Sequence, residues 1–190
     1  DLNLFGRLRR VALAWPRDKN EALDWPAVAE RMVSSLESHS QRPAALCIVN
    51  TRRAAREVFA ELKARRAKGV FHLSTSMCPA HRLAVLHCVH ERLENAQPTL
   101  LVSTQLIEAG VDVDFPFVMR EMAPLEAIIQ AAGRCNREGL LNKADSQPGG
   151  EVVVFRSQAS LAEPKKYFPP DPWYKAGRSI VENDFHATGR

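Results

Sequence analysis

AALCIVNTRRAAREVFAELKA, residues 44–64, carries two hydrophobic periods in one stretch. AALCIVN, residues 44–50, is a continuous apolar run, the pattern of a strand buried on both faces of a parallel sheet. The period then changes, and Ala54, Ala55, Val58, Phe59 and Leu62 share one face of a helix. A buried strand that feeds directly into an amphipathic helix is the opening half of a strand–helix–strand unit.

The same alternation extends in both directions. RRVALAW, residues 9–15, reads as a strand. Pro26 opens a helix whose apolar stripe is Val28, Met32, Val33 and Leu36. Gly69 ends the helical pattern downstream of Leu62, and VFHL, residues 70–73, is a third strand. Helix signals return from Ala80 to about Leu93, with Leu83, Leu86, Val89 and Leu93 around the core face. TLLVS, residues 99–103, and FPFVM, residues 115–119, are the fourth and fifth strands. Pro124 to Ala132 is a helix with Leu125, Ile128, Ile129 and Ala132 on one side, and VVVF, residues 152–155, is the sixth strand. Strands alternating with helices predict an α/β fold, a mostly parallel sheet with helices on both faces. The spacing is too irregular for a repeat array. EPKKYFPPDPWYK, residues 163–175, is Pro-rich and aromatic, which sets the domain at residues 1–160 and a linker or extension at 161–190. There Tyr167, Phe168, Trp173 and Tyr174 either pack against a following domain or stack on bases.

The 190 residues fit one domain with an extension. A net charge of +4 permits an acidic partner such as nucleic acid without demanding one. Cys47, Cys78, Cys88 and Cys135 have no C-x-x-C spacing, which predicts reduced thiols and a cytoplasmic setting. No apolar run approaches the ~18 residues of a membrane span, so no membrane partner is expected. The chain begins at Asp1 rather than Met, as a processed product or an excised piece would.

Two stretches carry the candidate chemistry. In QAAGRCNREG, residues 130–139, Gln130, Arg134 and Arg137 fall within roughly 60° of one another on a helix that continues that far. Guanidinium forks suit phosphate oxygens, although a solvated helix end would look the same. In VSTQLIEAGVDVDF, residues 102–115, Ser103 and Thr104 stand at the carboxyl end of a buried strand, where open α/β sheets place their ligands. Gly110 permits close backbone approach, and Asp112 offers an acceptor for a ribose hydroxyl. Thr104 also suits a cap for a short helix at Gln105 to Glu108.

Together these stretches resemble motifs V and VI of superfamily 2 helicases: S-T-x-x-x-x-A-G-V-D-V-D, then Q-x-x-G-R-x-x-R about fifteen residues on. CIVNTRRAARE, residues 47–57, resembles motif IV, and FHLSTSMCPAHR, residues 71–82, narrows the likeness to the helicase–nucleases of type I CRISPR–Cas systems. The resemblance covers roughly Ala44 to Phe155. It implies a RecA-like domain, the second of two that clamp ATP and track along single-stranded DNA in antiviral defence. The sequence contains no G-x-x-x-x-G-K-[ST] phosphate loop, no DExH box and no His-Asp dipeptide. ATP and its Mg would therefore be held mainly by a first RecA-like domain, and the nuclease would lie elsewhere, in the same or a separate chain. The implied partners are that domain, the nuclease domain, single-stranded DNA and a CRISPR effector complex.

By the same resemblance Arg134 and Arg137 are arginine-finger candidates and Gln130 lies near the γ-phosphate or its attacking water. Gly110 and Asp112 line the nucleotide. Asn50, Thr51, Ser103 and Thr104 contact the DNA backbone, with Ser74, Thr75 and Arg82 on the same surface. Asn50 and Thr51 also suit a helix cap before Arg52, and Ser74 and Thr75 a turn. The basic run Arg52, Arg53, Arg56, Lys63, Arg65, Arg66 and Lys68 is either a solvated face or part of a DNA track. Cys78, His81, His87, Cys88 and His90 point in different directions on a helix, so no metal site is expected. The alternatives to a DNA motor half are an RNA helicase half and a non-catalytic docking module.

Overall fold

The computed structural model describes residues 10–18, 21–107, 112–141, 148–163 and 179. Gly110 and nearly all of the 161–190 extension, including its aromatic residues, lie outside the described residues.

Six strands form one sheet: β1 (Val11–Ala14), β2 (Ala44–Ile48), β3 (Val70–Leu73), β4 (Thr99–Ser103), β5 (Phe117–Glu121) and β6 (Gly150–Phe155). Their order is β1-β6-β5-β2-β4-β3, and every pairing is parallel. The helices beside them among the described residues include α1 (Trp25–Ser38), α2 (Arg52–Ala64), α3 (Pro79–Glu94), α4 (Leu125–Ala132) and α5 (Gln158–Ala162).

The apolar run of β2 is explained by its position between β4 and β5 with both faces covered. Ala45, Cys47 and Val49 point to one face, where Val28, Ala29 and Met32 of α1 and Ala54, Ala55, Val58 and Leu62 of α2 pack. Ala44, Leu46 and Ile48 point to the other, beside Val89 of α3 and Ala131 of α4. The alternation of successive side chains thus splits one continuous run into two cores. Burial also raises the Cys47 thiol pKa well above its usual range, helped by the negative charge of Glu121, so this sulfur is packing material.

Local chemistry sets the helix starts. Asp24 accepts from the Ala27 N–H at 2.8 Å and caps α1, and Thr51 accepts from the Ala54 N–H at 3.2 Å and caps α2. Gly69 has φ of 67°, and a Cβ there would meet the Pro98 carbonyl oxygen at 2.0 Å, so only glycine fits the turn into β3.

Three sequence expectations shift. The fifth strand runs over Phe117–Glu121 rather than 115–119. Pro116 has no N–H to give a ladder, while Phe115 forms a separate parallel bridge with Cys135. α4 buries Ile128 and Ala131 but leaves Leu125 and Ile129 exposed, because the helix turns its Ala131 side to the sheet. On α3, Val89 is the buried residue and Leu83 faces outward, since the helix covers the edge of the sheet at β3 and β4. Among the described residues no helix is long and apolar enough to cross a membrane.

Candidate functional site

The predicted site residues fall on opposite edges of the sheet. Strands of about five residues rise ~3.3 Å each, which separates the two edges by roughly 17 Å.

The carboxyl edge collects Asn50 after β2, Ser74 and Thr75 after β3, and Ser103 and Thr104 at the end of β4. Their states differ. Asn50 is buried: its side-chain oxygen accepts from the Arg120 guanidinium at 2.7 Å, and its amide donates to the Met122 carbonyl at 3.0 Å. Its backbone N–H donates to Glu121 Oε2 at 2.9 Å. Glu121 Oε1 accepts from the Ser157 hydroxyl at 2.7 Å. Arg120 and Glu121 are both 0% exposed. This network binds the loops after β2, β5 and β6 into one polar core beneath the edge. Sequence reading missed it, because the strand was ended at Met119. The signal was there in an Arg-Glu pair following an apolar run.

Ser103 donates its hydroxyl to the Thr104 carbonyl at 2.9 Å and is fully buried. The Thr104 N–H donates to the Leu73 carbonyl at 3.3 Å, and its carbonyl accepts from Ile107 at 3.4 Å to close a 3₁₀ turn over Gln105–Ile107. The Thr104 hydroxyl takes no hydrogen bond among the described residues. Thr51 is occupied as the α2 cap. Ser74 is buried and its hydroxyl has no partner among the described residues, whereas Thr75 is exposed. Arg82 sits half-buried in the first turn of α3. Arg52 reaches across to the Ser76 hydroxyl at 3.2 Å, joining the loops after β2 and β3. Of the rest of the basic run, Arg53 pairs with Glu57 at 3.1 Å and Arg65 donates to the Pro26 carbonyl at 2.9 Å.

The amino edge holds the arginines. α4 ends at Ala132 with Gly133 as its cap, so Arg134 and Arg137 do not continue the face of Gln130. Gln130 is exposed on α4. The chain instead pairs with Phe115: the Phe115 N–H donates to the Arg134 carbonyl at 2.9 Å, and the Asn136 N–H donates to the Phe115 carbonyl at 3.0 Å. Cys135 is buried between them, and its thiol pKa is pushed well up by burial first and by nearby Asp114 second. Asn136 has φ of 45° and is fully buried. It donates to the Arg10 carbonyl at 2.8 Å and accepts from the Leu141 N–H at 3.0 Å. Asparagine tolerates that left-handed conformation, so this residue turns the chain between Arg134 and Arg137. Sequence reading passed over Asn136, although an asparagine between Gly133 and Gly139 is a turn signal.

Arg137 then meets Asp112, 25 residues earlier, in an ion pair. Its side chain is 43% exposed and that of Asp112 84%. An exposed pair of this kind contributes little to stability, so either group exchanges its partner at small cost. Both line an open groove of about 220 Å³ with Arg42, His90 and Asp114. A larger cleft of about 530 Å³ beside β1 and the end of α1 includes Arg42 but none of the predicted site residues. On α3, Cys78 is the N-terminal flanking residue and His87 pairs with Glu91 at 3.3 Å, so the cysteines and histidines do not converge. Among the described residues no group of three or more His, Cys, Asp or Glu could hold a metal ion.

The fold has clear relatives. A crystal structure of T. fusca Cas3 with AMPPNP superposes with a TM-score of 0.60 at 20% identity, covering 79% of this chain and 18% of that one. Domain 2 of the DEAD-box helicase Mss116p, bound to an RNA duplex, superposes with a TM-score of 0.53 at 16% identity, covering 89% of this chain and 67% of that one. The all-parallel sheet between two helical layers is the RecA-like α/β fold.

Residues 41–140 match the family described as CRISPR-associated nuclease/helicase Cas3, C-terminal, and the chain belongs to that family. A curated member from Haloferax volcanii, a CRISPR-associated nuclease/helicase Cas3, is 48% identical over 75 residues. That segment is 40% of this chain and 7% of the relative, so the chain corresponds to a small part of the proteins it matches.

Proposed function

We propose that this chain is the second motor domain of an ATP-dependent, single-stranded-DNA-translocating helicase–nuclease of CRISPR antiviral defence. The observation that carries the reading is the meeting of Asp112 and Arg137 on one sheet edge, with Thr104 and Thr75 on the other. One edge offers a cation and an acceptor to a nucleotide, the other offers hydroxyls and backbone groups to a strand.

The donor set fits ATP in part. Arg137 presents an accessible guanidinium for developing charge on phosphate oxygens, and Asp112 presents an acceptor for a ribose hydroxyl. The sequence has no phosphate loop, so the phosphates and Mg rest mainly on a first RecA-like domain, fused or separate. Bound there, ATP supplies the phosphoryl transfer. This chain's part is to place Arg137 against that site, with Arg134 at the developing charge and Gln130 toward the attacking water as the further contributors of the same segment. Charge spread over the γ-phosphate is what a preorganised cation stabilises. On the carboxyl edge, Thr104 contacts the DNA backbone, with Thr51, Thr75, Arg82 and the Asn50 loop along the same track. A CRISPR effector complex supplies the DNA and the nuclease domain cuts it.

The test is ATP hydrolysis by the purified chain alone and after addition of the first RecA-like half, each with single-stranded DNA or RNA. The chain alone is expected to show negligible turnover, and the combination a DNA-stimulated one. Robust hydrolysis by the chain alone contradicts the reading. Stimulation by RNA and not by DNA moves the chain to an RNA motor.

A further inference from the structure

We infer that Asp114 is a positioning residue for Arg137 and is itself set by Arg42. The inference rests on the proposed role of Arg137 at a nucleotide site.

The segment Asp112-Val113-Asp114 leads into the Phe115 bridge. Val113 is 2% exposed and packs into the core under α3 and α4, and both carboxylates reach Arg137. The two acids do different things. Asp112 takes the guanidinium and is largely in solvent. Asp114 takes the backbone: its Oδ1 accepts from the Arg137 N–H at 2.8 Å. Its Oδ2 accepts from the Arg42 guanidinium at 3.2 Å, and its side chain is only 15% exposed.

The Asp112 contact can be surrendered to a phosphate without disturbing the chain. The Asp114 contact cannot, because it fixes the position from which the Arg137 side chain departs. Two other anchors lie just upstream, the Phe115 bridge to residues 134–136 and the Asn136 side chain. Asp114 holds the Arg137 N–H, and the Arg10 guanidinium donates to the Arg137 carbonyl. Arg42 stands just before β2, which is paired on both sides by β5 and β4, so the carboxylate is referred to the middle of the sheet. A charge-assisted hydrogen bond to a half-buried carboxylate is strong enough for this work.

The experiment uses the motor assembled with its first RecA-like half and compares Asp114→Ala, Asp114→Asn and Arg137→Ala. Misplacing a reacting group by about 1 Å costs about 10²-fold in rate. Asp114→Ala is therefore expected to lower kcat about 10²-fold, with the KM for ATP and the DNA affinity nearly unchanged. Asp114→Asn keeps an oxygen for the Arg137 N–H and is expected to recover most of that loss. Parent-like kcat in Asp114→Ala, with Arg137→Ala inactive, overturns the inference and leaves the role of Arg137 standing. Equal impairment in Asp114→Asn and Asp114→Ala also overturns it, since then charge and not the backbone hydrogen bond matters. Near-normal kcat in Arg137→Ala removes the nucleotide role itself, and the positioning role with it. If Asp114→Ala lowers the thermal midpoint enough to unfold the chain, Arg42→Met decides. It frees one oxygen of the carboxylate and is expected to cut kcat about tenfold at constant KM; unchanged kcat overturns the inference.

Discussion

The two edges of the sheet are built on different principles. At the carboxyl edge, polar residues are buried and committed: Asn50, Arg120, Glu121 and Ser157 hold one another and stitch three loops together. At the amino edge, Arg137 and Asp112 are exposed and hold each other loosely. Buried polar groups are costly to disturb, whereas exposed ion pairs are cheap to exchange. Under the proposed function, the carboxyl edge is a surface that tracks a strand and needs stiff loops beneath it. Under the same proposal, Arg137 meets phosphate arriving from another domain and needs freedom at its tip and a fixed base, which is the division between Asp112 and Asp114.

The sharpest way to break the comparison is Arg137→Ala in the assembled motor. Loss of an arginine finger is expected to lower kcat by ~10³–10⁵, read by steady-state ATP hydrolysis at saturating DNA. Near-normal turnover would remove the amino edge from the chemistry. Next in size is Glu121→Ala, which strips the acceptor from the Asn50 N–H and the Ser157 hydroxyl. It is expected to cost about 1–3 kcal/mol of stability for each buried donor left unsatisfied, visible as a fall in the urea midpoint of this chain. A midpoint close to the parent's would mean the carboxyl edge is not committed in the way described. The smallest effect is expected from Thr104→Val, which keeps the shape and removes a hydroxyl that no described residue uses. DNA-stimulated turnover should fall about tenfold while the DNA-independent rate holds. Equal losses in both rates would show that Thr104 serves the fold and not the strand.

Much of this architecture was legible before any coordinates. The runs at 44–50 and 99–103 read as strands, the first with the continuous apolar pattern of a strand covered on both sides, and the change of period after Asn50 announced a helix. What periodicity could not supply was which side of a short helix would be covered. Leu125 and Ile129 share a face on α4, yet the sheet takes Ile128 and Ala131. Periodicity orders residues around an axis but does not fix the rotation of that axis against the sheet. The same limit applied to Gln130, Arg134 and Arg137, whose common face presumed a helix that Gly133 and Asn136 bring to an end. The motif resemblance put Asp112 and Arg137 on the same ligand, and the fold brings them together across 25 residues of sequence. Spacing alone gives no hint of that contact, because it arises from the return of the chain beside Phe115. The roles of Asp114 and Asn136 were equally hidden, since both act on backbone whose path only the fold defines.

The most direct test of the separation between the edges is the equilibrium binding isotherm of single-stranded DNA to the assembled motor carrying Arg137→Ala, at fixed salt because such affinities are salt-dependent. The account predicts an affinity within about twofold of the parent's, since one exposed cation on the far edge lies beyond a Debye length of ~8 Å from the strand. A loss of DNA affinity as deep as the loss of turnover would contradict it.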